Sequence, residues 1–378
     1  MQRYNASASS SSHLSNAPFH LEYGVGSVQG TMVSDTVSVA GYSVSSLAFA
    51  QASRLGQKTL TPPASGLMGL GFSSLSATND MPLWQLLASK GRMEQRVFSF
   101  QLATNIDNVK GRGDVLPGGT MTLGRIDRSQ FQGEISWTPV LPGYGSKGRG
   151  YWGVALSGLK VNGNTIALGN QSSAAIDTGT TLIGGPGSLV KQLYESIPGA
   201  KPGGVNISQY YTYPCDSAFN VTLSFNNVPY TLTNDSLNLG HVSAGSKECV
   251  GAVFVHEPTI TNAPTWIIGD SFLKTVYSVF SYEPELVGFA RLPEQGVAKP
   301  SMTSISTSVR STPSGSLLLP SSTLVPAENQ ELPSKALPSP SVLSVPAGMH
   351  MVSSSAAALR APLLSAMVAL VVAICLVV

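Results

Sequence analysis

One stretch of this sequence has the residue types, in the order, that acid–base chemistry needs. Ala174-Ala175-Ile176 runs straight into Asp177, and Thr178-Gly179-Thr180-Thr181 follows as a small, hydroxyl-rich turn. A carboxylate at the end of a buried strand is costly unless it is hydrogen-bonded or put to use. Gly179 permits a tight turn, and the hydroxyls and amides around it are placed to hold the carboxylate. Read alone, an Asp that merely opens a turn fits nearly as well. Other catalytic signatures fail. The histidines are His13, His20, His241, His256 and His350. His256-Glu257-Pro258 does not continue into HExxH, and no GxSxG elbow occurs. Gly24-Val25-Gly26-Ser27-Val28-Gln29-Gly30 places its third glycine one residue late for a dinucleotide loop, and a strand-like run follows it. Arg112-Gly113-Asp114 sits among glycines and reads as loop. No CxxC or Cys/His cluster is visible, so no metal site is expected.

The elements that must position Asp177 are mostly strands. From Phe19 to Leu292 the pattern has period two. Val221, Leu223 and Phe225 alternate with polar neighbours, Asn226-Asn227 turns the chain, and Val228, Tyr230 and Leu232 return. Asn162-Gly163 is a hairpin signal. Two short helices are expected. Pro82–Lys90 has Asp80 as a cap and Gly91 just past its end; Ser188–Ile197 puts Leu189, Leu193 and Ile197 on one face. Cys215 and Cys249 form an even pair that reads as one disulfide, worth about 3–4 kcal/mol by loop entropy.

Composition bounds the rest. The 378 residues carry 22 basic and 20 acidic side chains, a net charge of +2, which argues against a nucleic-acid partner. Charged residues are only 11% and hydrophobic ones 42%, so the surface is polar through Ser, Thr, Asn and Gln. With 38 Gly and 25 Pro the chain suits a turn-rich β protein. Phe289 is the last aromatic residue, and 25 of the 51 residues from Pro300 to His350 are Ser, Thr or Pro. Residues 298–352 therefore read as an extended stalk, either bearing O-linked sugars or bare. Small residues at Ser353–Ala356, a spacer and the apolar run Leu363–Val378 give residues 353–378 the layout of a GPI-attachment signal, which would remove Cys375. The other reading is a retained membrane helix, but 16 residues reach only ~24 Å against a ~30 Å hydrocarbon core. Sequons begin at Asn5, Asn170, Asn206, Asn220 and Asn234, in keeping with secretion. No signal peptide opens the chain, and the reading that reconciles the two ends is a sequence that starts late.

Taken together, these segments resemble the pepsin-like aspartic proteases, as an N-terminally truncated, GPI-anchored member of fungal type. Asp177-Thr178-Gly179-Thr180-Thr181 resembles the second of that family's two catalytic DTG loops. Trp266-Ile267-Ile268-Gly269-Asp270 is similar to the segment supporting that loop, and Ser65-Gly66-Leu67-Met68-Gly69-Leu70-Gly71 to its counterpart in the first lobe. Tyr23-Gly24-Val25-Gly26-Ser27 resembles the flap hairpin, with Tyr23, Gly24 and Gly26 against substrate. Leu123–Asp127 and Tyr151-Trp152 fit the junction of the lobes, and Val287–Ala290 the last strand. Cys215 and Cys249 match the disulfide of the second lobe. The resemblance spans roughly residues 4–292.

The resemblance implies an all-β, bilobal fold with short helices and an incomplete first lobe: residues 1–140 as first lobe, 141–297 as second. It implies an endopeptidase without cofactor, a monomer, acting on polypeptides at the cell surface or wall and held to the membrane by a GPI lipid. The mechanism needs two carboxylates sharing one proton, one ionised to activate water and one protonated to hold the scissile carbonyl. Only 22 residues precede Tyr23, and no first DTG loop is among them. Asp35-Thr36-Val37 lacks the glycine and fits the strand after the flap. Val25 stands where the family has a polar flap residue. The chain as written is therefore expected to be inactive. The alternative is a non-catalytic surface protein that binds peptide or wall material. First-lobe strands lacking partners would leave exposed edges, an aggregation risk.

Overall fold

The computed structural model describes residues 3–293, apart from 24–25, 58, 61–63, 104–117, 145–149 and 259–261, together with the backbone of Leu343–Ser344. The stalk apart from the Leu343–Ser344 backbone, the GPI-signal segment and Arg112-Gly113-Asp114 thus lie outside the described residues, as do Gly24 and Val25. Met1–Pro293 belongs to one compact unit of mostly β structure with a few short helices.

Three antiparallel strands open the chain: His13–Glu22, Ser27–Val39 and Tyr42–Leu55. Phe19, Tyr23, Val28 and Ala50 form a small buried cluster on this sheet. Asp35 sits inside its middle strand, as its sequence context predicts.

A second sheet joins distant parts of the chain. Its strands run in the order Gly119–Leu123, Val97–Leu102, Val276–Tyr282, Glu285–Arg291 and Gln132–Pro139, and Leu343–Ser344 pairs with the outer edge of Gly119–Leu123. Residues near 280 therefore pair with residues near 100, in antiparallel register Phe280↔Phe98. The rings of Phe98 and Phe280 stack at 4.9 Å, and Trp84 and Trp152 pack at 5.3 Å beside them. Trp84 is carried by the helix Leu83–Ser89. That helix begins directly after Pro82 with no side-chain cap, so Asp80 does not cap it. Its far end behaves as read: Gly91 lies past the C-cap at φ +62°, a conformation glycine adopts without strain.

The third sheet holds the region of Asp177. Its order is Val228–Thr233, Asn220–Phe225, Gly153–Val161, Ser173–Ile176, Trp266–Ile268, Ile183–Gly185 and Val253–Val255, with Asn164–Ile166 also on Gly153–Val161. Val221, Leu223 and Phe225 are buried while their neighbours are not, as period two requires. The hairpin turns fall where the sequence puts them. Asn162 and Gly163 have φ of 49° and 83°, and Asn226 and Asn227 of 49° and 62°, the left-handed pair of a tight hairpin. The helix Gly187–Glu195 starts one residue before the expected one, and Leu189, Leu193 and Ile197 are all buried. A fourth, small sheet runs Lys201–Pro202, Tyr211–Pro214, Glu248–Gly251, Asn238–His241 and carries the disulfide.

Candidate active site

Asp177 follows Ser173–Ile176, a strand that pairs in parallel with Trp266–Ile268. Both strands are wholly buried, and parallel strands covered on both faces need apolar residues throughout. Ala174, Ala175, Ile176, Ile267 and Ile268 supply them. Asp177 N–H donates to Ile268 O at 3.0 Å. The chain then turns at Gly179 and returns as Ile183–Gly185 on the other side of Trp266–Ile268, in register Ile183↔Ile268.

The loop is fixed from both directions. Gly269 N–H donates to Leu182 O at 3.1 Å, Asp270 N–H to Thr180 O at 2.8 Å and Ser271 N–H to Thr181 O at 2.8 Å. A Cβ on Gly269 would overlap the backbone oxygen of Thr180, so only glycine fits there. The spacing of Gly269 after Ile267-Ile268 is thus a packing requirement of the loop.

The Asp177 carboxylate is 8% exposed. Its Oδ1 accepts from Gly179 N–H at 2.8 Å and its Oδ2 from the Thr180 hydroxyl at 2.6 Å. Burial raises its pKa to about 6, outweighing these two bonds, which lower it. Thr178 and Thr181 are half-buried beside it, and Gly179 is exposed at the turn.

Two further groups meet Asp177 that sequence reading did not single out as site residues. Asp270 is buried, and no partner for its Oδ1 is found among the described residues. Burial first, then the charge of Asp177, push its pKa well up; Lys274 opposes this. Tyr151 is 4% exposed, and burial followed by the Asp177 charge pushes its phenol up to about 12. Nothing in the local spacing of either residue marks it, because strands distant in sequence bring them together.

Tyr23 is buried against Phe19, Val28 and Ala50 at the tip of the hairpin. Its N–H donates to Gly26 O at 2.9 Å. Gly26 has φ +95° and faces Thr59, whose hydroxyl accepts from Ser27 N–H and leaves no room for a Cβ. The first-half counterpart of the supporting segment differs from its partner. Residues 65–71 form no strand, and Leu67 and Met68 are only half-buried. Indole N–H groups meet this segment instead: Trp152 donates to Leu70 O at 2.8 Å and Trp84 to Gly71 O at 3.1 Å.

Cys215 and Cys249 are joined in a disulfide with Cα atoms 5.0 Å apart. His241 lies against it, a neighbour that sequence spacing did not reveal. With both sulfurs in the bond, neither is a thiolate ligand.

Residues 1–292 match the family model for eukaryotic aspartyl proteases. Over 297 residues the chain is 33% identical to "Major aspartyl peptidase 1" of Cryptococcus neoformans, covering 76% of the chain and 60% of that protein. It is 34% identical to an "Aspartic protease" of Phaffia rhodozyma, covering 72% and 63%, and 33% identical to mouse cathepsin E, covering 72% and 65%. The chain spans about three fifths of the length of the first two of these relatives. With the strand–loop–strand frame around Asp177, the match over residues 1–292 places this chain in the eukaryotic aspartyl protease family.

Proposed function

We propose that this chain is the larger part of an aspartic endopeptidase that hydrolyses polypeptides, with Asp177 as one of its two catalytic carboxylates. The observation that carries this reading is a buried carboxylate at the end of a cross-braced strand, held by Gly179 and Thr180, whose pKa burial raises to about 6. Such a group exchanges a proton with water at mildly acidic pH, as general acid–base catalysis requires. Tyr23, Gly24 and Gly26 would close over substrate, while Thr178 and Thr181 would line the catalytic loop. The half before the Gln132–Pro139 strand ends would form the first lobe and the half after it the second.

The partner carboxylate is not among these residues. Asp35 is the other Asp followed by Thr, and its oxygens are taken by Tyr4, Ser11 and the Thr36 N–H. Without a second acid there is no shared proton and nothing to position the attacking water. The chain by itself would then not cleave peptides. A non-catalytic member that binds peptide or wall material at the cell surface is the second reading, favoured by the single DTG loop in the sequence.

The tail supports membrane attachment through a GPI lipid, on composition alone. Among the described residues no helix is long and apolar enough to cross a membrane. Asn5, Asn170 and Asn206 are exposed, with Asn5 accepting hydrogen bonds from Ser7, whereas half-buried Asn234 accepts one from Tyr213 OH.

The test is to sequence the transcript upstream of codon 1 and to assay both the extended and the present chain on an unfolded protein at roughly pH 3–5, where a carboxylate pair keeps one proton. An upstream DTG or DSG loop, with cleavage by the extended chain alone, supports the protease reading. A stop codon just upstream, with no cleavage by the present chain, moves the conclusion to the binding reading.

A further inference from the structure

We propose that the disulfide site is a redox-gated metal site: reduction of Cys215–Cys249 frees two thiolates that, with His241, take a thiophilic divalent cation such as Zn²⁺. The three donor atoms (Sγ of each cysteine and a ring nitrogen of His241) all lie within 4.8 Å of one another. Three tetrahedral zinc ligands at about 2.0–2.3 Å from the metal stand roughly 3.5–3.8 Å apart, so the trio needs only small movements.

The small sheet presents the donors together. His241 and Cys249 are opposite partners on neighbouring strands, and opposite residues project to the same face. Cys215 follows the strand Tyr211–Pro214 on the other side of Glu248–Gly251, and its N–H is fixed to Lys247 O at 2.9 Å. Three strands thus hold the ligand backbones independently of the S–S bond. Cys249 is 2% exposed, Cys215 half-buried and His241 exposed, so the cluster has a closed floor and an open side facing water. An open fourth position is filled by solvent in such three-ligand sites.

His241 Nδ1 stands 3.3 Å from Cys215 Sγ and 2.7 Å from Ser246 O. Against a carbonyl, Nδ1 must carry the proton. To ligate, it gives up that bond and the proton moves to Nε2. A dithiol reductant supplies two electrons and two protons to break the S–S bond, and is itself oxidised to a disulfide. The cation then displaces both thiol protons, leaving a neutral M(S⁻)₂ unit with a neutral imidazole. The metal would thereby restore the cross-link that reduction removes.

The experiment uses the full chain with Cys375→Ser, since Cys375 is the only other thiol. The chain is reduced with an excess of a phosphine under argon and titrated with Zn²⁺ and with Co²⁺. One equivalent should bind to the reduced chain and none to the oxidised chain, with thiolate-to-cobalt charge-transfer absorption and a Zn²⁺-dependent rise in Tm. Loss of an outer-shell partner weakens metal sites by about 10–100-fold, so His241→Ala, which removes a direct ligand, should cost at least that. The same variant should leave the oxidised chain's Tm unchanged. Three results would overturn the proposal: no binding after reduction, equal affinity in His241→Ala, or loss of β-sheet circular dichroism on reduction before metal is added.

Discussion

Asp35, within a strand, and Asp177, just after one, are both buried Asp-Thr carboxylates, 4% and 8% exposed, and their chemistry is opposite. Asp35 accepts from Ser11 Oγ, from Tyr4 OH at 2.7 Å and from Thr36 N–H at 2.7 Å, and these donors, Ser11 first, hold its pKa far below the usual carboxylate range. Asp177 accepts from Gly179 N–H and the Thr180 hydroxyl, but burial wins, raising it to about 6. The balance of donors against desolvation, rather than burial itself, decides whether a carboxylate is a structural anion or a proton-exchanging group. The first kind ties the segment 4–12 to the three-stranded sheet. The second kind is what acid–base catalysis needs.

The largest expected effect that would test this contrast is that of Asp177→Asn. A folded pKa raised from 3.8 to about 6 means the folded state disfavours the anion. Stability contributed by this group is thus full below pH 3.8 and lost as pH rises through about 6. The loss amounts to about 3 kcal/mol for two pKa units in a fully buried group. Asp177→Asn should therefore stabilise the chain near pH 7 by up to that amount and change little near pH 4, read from urea midpoints at both values. Asp35→Ala should do the reverse. It leaves three donors without their acceptor and should cost about 2 kcal/mol at neutral pH. Because the folded pKa of Asp35 is depressed, its contribution is present above the unfolded value and fades as pH falls below it. An equal loss for Asp35→Ala at all pH values would break the comparison.

Thr180→Val sharpens it from the other side. Losing one of two donors to Asp177 should raise that pKa by about one unit, on the order of 1.4 kcal/mol, seen in a carboxyl-carbon NMR titration. Ser11→Ala is the smallest of the four, at about 1 kcal/mol, because Tyr4 and Thr36 still hold Asp35. The same substitution should move the Asp35 pKa upward.

The supporting segments show a parallel contrast. Ile267 and Ile268 are fully buried in a strand flanked on both sides, and Gly269 admits the Thr180 carbonyl. Leu67, Met68 and Gly69 occupy the matching pattern in the first half, yet they form no strand. The two patterns look alike in sequence because both are apolar-apolar-Gly. They fold differently because Trp266–Ile268 has strands to pair with on each side and residues 65–71 have none among the described residues. Pattern alone does not supply a pairing partner.

What was legible in the sequence was local. The Asn162-Gly163 and Asn226-Asn227 turns, the period-two strands, the glycine stop at Gly91 and the acid loop at Asp177 all express preferences of a few neighbouring residues. The Asp80 cap was misread because the helix begins at Leu83 with Pro82 in the N-cap position, two residues beyond Asp80. Asp270 and Tyr151 were hidden for a different reason. Burial perturbs both first and the charge of Asp177 second, and neither is set by neighbours in sequence: strands distant in the chain enclose them.

The sequence by itself determined the strand-rich class and the turn positions, which rest on residue type at short spacing, and the cysteine pair and the family, which rest on composition and on the order of segments along the chain. Only the tertiary structure decided the direction in which the pKa values of Asp35, Asp177 and Asp270 move, the packing need for Gly269, and the meeting of His241 with the disulfide. Those depend on desolvation and on which donors arrive from distant strands. Both are properties of the packed chain and of no single segment in it.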